Sequence, residues 1–386
     1  MATVVVSGAL ANRCSNGGGA WVRLNWALGL RRLGHAVHFV EEIGRGTCVD
    51  AAGADAEFSD SVNLTYFRQV TQGFGLSDAA TLVYEGGERT HGMRFSELLE
   101  LAASADLLIN LSGHLASASL LRRFRRKAYI DLDPGYTQIW HAAGNPGARL
   151  AGHDYHFTVG ANVGTPGCTI PTAGVAWRPV APPVVMDEWP VWGSGSSGRF
   201  TTVASWRGAY GPVQVGGETL GQKVHEFRKF LDLPARSGRT FEIALNIHPR
   251  DGNDLEALRR HGWQVVDPAV VASEPRAFRR YVQGSAAEFS AAQGVYVATG
   301  SGWFSDRTAE YLATGKPALV QDTGLRRSYP VGEGLITFRT PDEAAAGVKA
   351  IARDYPGHCR AARSLAEEFF DSDKVLRRLL GDVGVA

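Results

Sequence analysis

The order of elements at the start of the chain constrains its fold most. Thr3-Val4-Val5-Val6 is an apolar, β-branched run of the length of a buried strand. A glycine-bearing loop, Ser7 to Gly19, follows. Residues 20–33 then place Trp21, Leu24, Ala27, Leu28 and Leu30 close to helical spacing. Gly34 supplies the helix stop, and Ala36 to Val40 reads as the next strand. Strand, crossover helix and strand make a βαβ unit, whose right-handed connection commits both strands to a parallel sheet.

The alternation continues. Strands are expected at 107–111 and 129–132 with a helix at 117–126 between them, and another strand at 157–159. Proline and glycine then gather. Pro179-Val180-Ala181-Pro182-Pro183 and the stretch from Trp189 to Gly198 read as a long connection. A second series follows, with strands at 201–205, 241–247, 264–266, 295–298 and 317–321. Helices are expected between them at 223–231, 255–261, 275–284 and 308–313, and 338–380 is mostly helical. With 386 residues the chain has material for two cores. The expectation is α/β, two Rossmann-like doubly wound domains at 1–180 and 181–365, then a terminal segment 366–386.

Glycine supports this. There are 46, and Ser7-Gly8, Asn16-Gly17-Gly18-Gly19, Ser112-Gly113 and Thr299-Gly300-Ser301-Gly302 follow expected strands. Ligands of open α/β sheets bind beyond the carboxyl ends of strands, where backbone approaches them closely. Charge excludes other classes: 40 Lys and Arg against 39 Asp and Glu leave +1, so no global field draws nucleic acid or an anionic membrane. Cys14, Cys48, Cys168 and Cys359 stand far apart without a CxxC pair, as reduced thiols of a cytoplasmic protein would. The start lacks a signal pattern, and no apolar run is long enough to span a bilayer. His35/His38 and His153/His156 lack a carboxylate-rich partner motif, so no metal site is expected.

Gly17-Gly18-Gly19-Ala20-Trp21-Val22 misses the third glycine of a dinucleotide fingerprint, although Glu41 and Glu42 imitate its ribose-binding acid. No GKS or GKT makes it a P-loop. The segment richest in chemistry is Gly300 to Gly324, GSGWFSDRTAEYLATGKPALVQDTG. A loop enters a helix whose first turn carries Ser305, Asp306, Arg307 and Thr308. Free N–H groups at a helix start favour phosphate oxygens, and the hydroxyls, with Ser301, add donors. Arg307 adds charge, and Glu310 can accept two ribose hydroxyls. An ordinary Ser-Asp cap explains part of the pattern, but not Trp303-Phe304 beside a glycine-rich turn.

This segment resembles the donor-nucleotide signature of GT-B-fold glycosyltransferases of the bacterial group-1 type. There a Gly/Phe turn precedes a helix with a ribose-binding Glu, and an A-x-G-x-P turn follows, here Ala313-Thr314-Gly315-Lys316-Pro317. The likeness extends to TTVASWR at 201–207, to LGQKVHEF at 220–227 and to Gly34-His35-Ala36-Val37. It implies an N-terminal acceptor domain and a C-terminal donor domain facing a cleft, with the last helix crossing back to the first domain. Arg207 and Lys223 match the positions of cations for the donor diphosphate. No cofactor is implied, the nucleotide diphosphate sugar being the substrate. One position departs: the retaining branch carries a Glu eight residues before the ribose-binding one, and here that residue is Gly302. The stereochemical outcome stays open, and Glu288 lies too far upstream on spacing to substitute.

Sugar transfer needs stabilisation of the diphosphate leaving group, which fixed N–H donors and cations supply without a metal. Inversion also needs a base on the acceptor hydroxyl. Asp131, Asp133 and His114 are the candidates; alternation puts both carboxylates on one face, although DxDPG also suits a turn. Trp140, Trp189, Trp192, Trp206 and Trp303 fall in or near loops, available to stack a ring or fill the core. The basic run 122–127 suits a helix C-terminus. The expected activity is hexosyl transfer to a small molecule, glycan or peptide. The alternatives are a sugar-nucleotide epimerase of the same fold and a non-catalytic nucleotide-sugar or glycan-binding protein.

Overall fold

The computed structural model describes residues 1–193, 198–208, 210–215 and 217–385. Residues 194–197 of the expected connection lie outside the described residues. The first sheet takes β1 (Thr3–Ser7), β2 (Ala36–Ile43), β3 (Ala80–Tyr84), β4 (Arg89–His91), β5 (Leu107–Leu111), β6 (Lys127–Asp131), β7 (Tyr155–Thr158) and β8 (Trp177–Pro179). Their order is β4-β3-β2-β1-β5-β6-β7-β8, parallel throughout except for β4 on β3.

The second sheet is wholly parallel. After β9 (Phe200–Ser205) comes a hairpin, β10 (Val213–Val215) and β11 (Glu218–Leu220). Then come β12 (Phe241–Asn246), β13 (Trp263–Val266), β14 (Ala287–Ser290), β15 (Ala318–Gln321) and β16 (Leu335–Phe338), ordered β13-β12-β9-β14-β15-β16. Strand order reverses at β1/β5 in one sheet and at β9/β14 in the other. Such reversals open the crevices in which doubly wound sheets bind ligands. The chain therefore folds as two doubly wound α/β domains, and no described helix is long and apolar enough to cross a membrane.

Several elements differ from expectation. Val295-Tyr296-Val297-Ala298 forms the helix Gly294–Ala298, and the strand lies earlier, at Ala287–Ser290. A short apolar run does not distinguish strand from buried helix, and the buried Glu288 disguised the true strand. The helix expected at 117–126 is one turn, Ala118–Leu121. The first helix spans Gly17–Arg32, so the three glycines form its opening turn, with the Asn16 side chain accepting the Gly19 N–H at 2.8 Å. Residues 48–91 hold the helix Val62–Gly73 and strands β3 and β4, which sequence patterning did not resolve.

The two domains are bound together by close backbone contacts. A Cβ at Gly17 would collide with the Glu274 carbonyl oxygen, and Gly17 donates its N–H to the Ala272 carbonyl. Trp21 Nε1 donates to the Pro275 carbonyl at 2.7 Å. The terminal helix Ser372–Asp382 lies on helix Gly17–Arg32, where a Cβ at Gly29 would meet Leu376 at 2.6 Å. A strap after β7 clasps the second domain: Asn162 N–H donates to the Ser301 carbonyl, and its amide to the carbonyls of Gly300 and Gly324.

Candidate active site

Between the sheets lies a cavity of about 600 Å³. Its N-terminal wall is Arg13, Ser15, Asn16, Gly18 and Gly19, after β1. Opposite stand Ser205 at the end of β9 and the start of helix Asp306–Ala313, with Ser305, Asp306, Arg307 and Glu310. Ser305 occupies the N-cap without a side-chain cap bond, which leaves its hydroxyl on the cavity. Glu310 is buried, and its Oε1 accepts from Asn25 Nδ2 of the first domain at 3.2 Å. Burial holds its carboxyl well above the usual range, and Asp306 adds to that. Burial also raises Asp306 to about 6, against the pull of Arg23.

The cations separate. Arg307 is fully engaged: Nε donates to Glu288 Oε1 at 2.7 Å, Nη1 to the Val203 carbonyl and Nη2 to Ser290 Oγ. Glu288, set aside on spacing, thus reaches the site through β14, and its buried Oε2 has no hydrogen-bond partner in the described structure. Lys223 opens helix Lys223–Phe227 near this pair. Burial, then the Arg307 charge, lowers its ammonium to about 7, against the attraction of Glu288. Arg207 is exposed, holds Asp251 through two guanidinium nitrogens and is not among the residues that line the cavity.

On the N-terminal side the three candidate bases have different surroundings. Asp131 is buried and accepts from Thr137 Oγ1, Gln138 Nε2, Thr158 Oγ1 and the Asp133 N–H, so it braces the turn after β6 rather than facing a substrate. Asp133 is only partly buried and accepts from Tyr296 Oη of the second domain at 3.0 Å. His114 is driven down to about 3 by burial and by Arg23, Arg13 and Arg149, so its imidazole stays neutral.

Four more expected contacts turn inward. Ser301 Oγ donates to the Tyr296 carbonyl and accepts the Trp303 N–H. Trp303 stacks on Tyr296, with centroids 4.5 Å apart. Phe304 packs on Phe370 and Tyr329, and Thr308 is buried. Gly17 serves the domain contact, while Gly18 and Gly19 line the cavity. Glu41 spends both oxygens on the N–H groups of Ala11 and Asn12. Among the described residues, no group of three or more His, Cys, Asp or Glu side chains is placed to hold a metal ion.

Sequence reasoning missed Arg23, Asn25, Tyr296 and Asn162. A signal existed for the first two: buried polar residues interrupt the apolar face of helix Gly17–Arg32.

No protein-family model and no curated relative matches the sequence. Solved structures do match, over nearly the whole chain. An α-glucosyltransferase in complex with UDP and a 13-mer DNA aligns at a TM-score of 0.61 and 12% identity, over 99% of both chains. Anabaena HepE in complex with UDP-glucose aligns at 0.59 and 10%, over 100% of both. A glycosyltransferase involved in avilamycin A biosynthesis aligns at 0.54 and 13%, over 100% of this chain and 97% of that one. The fold is GT-B. In GT-B terms the cavity lies in the cleft between the two Rossmann-like domains, with helix Asp306–Ala313 on its C-terminal wall.

Proposed function

We propose that this chain is a hexosyltransferase that moves a sugar from a nucleoside diphosphate donor to an acceptor hydroxyl. The observation that carries this reading is the interdomain cavity into which helix Asp306–Ala313 presents its N-terminus and the buried Glu310. An unfilled helix N-terminus binds phosphate oxygens, and a dry carboxylate recognises paired hydroxyls. The similar solved structures that hold UDP or UDP-glucose support a uridine donor as the first probe.

We assign residues 1–180 to the acceptor domain, 181–365 to the donor domain and 366–386 to the segment that returns to the first. Glu310 accepts the ribose hydroxyls. Lys223, Ser305 and the N–H groups at the helix start stabilise the diphosphate as the bond from its oxygen to the anomeric carbon breaks. No metal takes part in this scheme. Asp133, oriented by Tyr296, takes the proton of the acceptor hydroxyl as its oxygen bonds to that carbon. The four cysteines, none in a disulfide, and a nucleotide-sugar substrate fit the cytoplasm.

The test is incubation with radiolabelled UDP-sugars, with and without chelator. Slow donor hydrolysis that survives chelation supports the reading. Interconversion of sugars favours the epimerase, and UDP binding without turnover favours the binding protein. The acceptor panel includes DNA, because three of the similar structures hold it.

A further inference from the structure

Three arginines from separate segments of the first domain lie close enough to His114 for their charges to act on it. Arg13 follows β1, Arg23 lies on helix Gly17–Arg32, and Arg149 closes the turn Pro146–Ala148. Among the described residues, none of the three has a carboxylate within ion-pair distance. Arg13 and Arg149 are exposed. Arg23 is 6% exposed; its Nη1 donates to the Gly19 carbonyl, and its buried Nε has no hydrogen-bond partner among the described residues.

The backbone positions this group. Arg23 crosses Gly8, where a Cβ would stand 3.1 Å from its Cγ. Arg149 adopts φ 52, and its Cβ lies 2.7 Å from where a Cβ of Gly113 would be, against the turn that carries His114. Tyr210, packed on Trp140 and Tyr136, lies among Asp133, Arg13 and Arg149. The carboxylates near Arg23 are Asp306 on the donor wall, Glu41 and Asp133. Glu41 is already bound by backbone N–H groups, as described above.

A buried guanidinium N–H without an acceptor is costly, and a ligand oxygen relieves it. Phosphate offers only acceptors and matches the arginine fork. Arg149 and His114 do not line the donor cavity, so the group extends beyond the space of the donor diphosphate. We propose that the acceptor carries a phosphate, seated among Arg13, Arg23 and Arg149 beside Asp133. This rests on the glycosyl-transfer reading. The phosphate belongs either to a small phosphomonoester or to a phosphodiester backbone.

The protein saturated with UDP is titrated calorimetrically with inorganic phosphate, glucose 6-phosphate, glucose and a short duplex DNA. Expected is saturable binding of at least one phosphate-bearing probe, weakened about tenfold or more, about 1.4 kcal/mol, in Arg149→Gln and in Arg13→Gln. Glucose is expected not to bind. The tighter of glucose 6-phosphate and DNA identifies the source. Exposure of Arg13 and Arg149 keeps both variants folded, which thermal melting checks. The proposal is overturned if UDP binds while no phosphate probe does, or if both variants bind the probes like the parent. If UDP itself fails to bind, the donor reading falls, and phosphate binding to the free protein still judges the arginine group.

Discussion

The side chain of Asn162 fills the place that a side chain at Gly302 would take. A Cβ at Gly302 would stand 2.7 Å from Asn162 Cγ and 2.8 Å from its backbone nitrogen. Gly302 also adopts φ +68, which L side chains disfavour. At this position the chain carries the tie that joins its domains. Gly302→Glu is therefore expected to create no sugar-holding group. It should destabilise by roughly 2 kcal/mol or more, from backbone strain and the displaced Asn162 amide. Thermal unfolding measures this; a variant that melts like the parent contradicts the account.

The proposed role of Lys223 at the donor diphosphate carries a pH dependence. Its ammonium, lowered to about 7, is charged below that pH and neutral above it. UDP affinity should fall as pH rises through about 7, and Lys223→Met should flatten the curve. The stability effect has the opposite slope. The unfolded lysine keeps its proton up to its ordinary 10.5, so this group makes the fold more stable as pH rises from about 7 towards 10.5. Calorimetric UDP titrations across pH, paired with melting curves, separate the two.

Asp131 and Asp133 should respond differently to the same change. Asp131→Asn replaces an acceptor-only group with one that presents an N–H to donors already aimed at it. The expected loss is on the order of 3 kcal/mol of stability. Asp133→Asn should leave melting nearly unchanged and slow transfer by about 100-fold or more. Equal loss of stability in both would remove Asp133 from the role of base.

His114 should shape the acid limb of stability. Unfolded, it takes up a proton near its ordinary 6.5; folded, it resists until about 3. Its contribution is present above 6.5 and is lost as pH falls from there towards 3. Glu41 and Asp306, raised to about 7 and about 6, act in the reverse sense above their ordinary values of 4.5 and 3.8. The difference between the parent and His114→Gln isolates the histidine. Identical acid unfolding curves would show that its pKa is not depressed.

Much of the architecture was legible because parallel strands buried on both faces read as apolar runs, as in β1 and β12. It failed at β14, where Glu288 sits in the middle of a buried strand and only its partner Arg307, nineteen residues later, explains it. The cavity side of helix Asp306–Ala313 was readable from cap chemistry. The pairing of Arg207 with Asp251 and the reach of Tyr296 to Asp133 were not, since both join segments distant in sequence. Local pattern carries periodicity and caps; it carries no information on which side chain a folded partner has already claimed.

The seat of helix Ser372–Asp382 on helix Gly17–Arg32 has a consequence during synthesis. The groove at Gly29 belongs to the first domain, yet Leu376, which fills it, follows the whole second domain in the chain. Until then the nascent first domain presents an open apolar furrow. Its final consolidation is thus coupled to synthesis of the second domain, and a chain cut short before Leu376 would expose that furrow to chaperones and proteases.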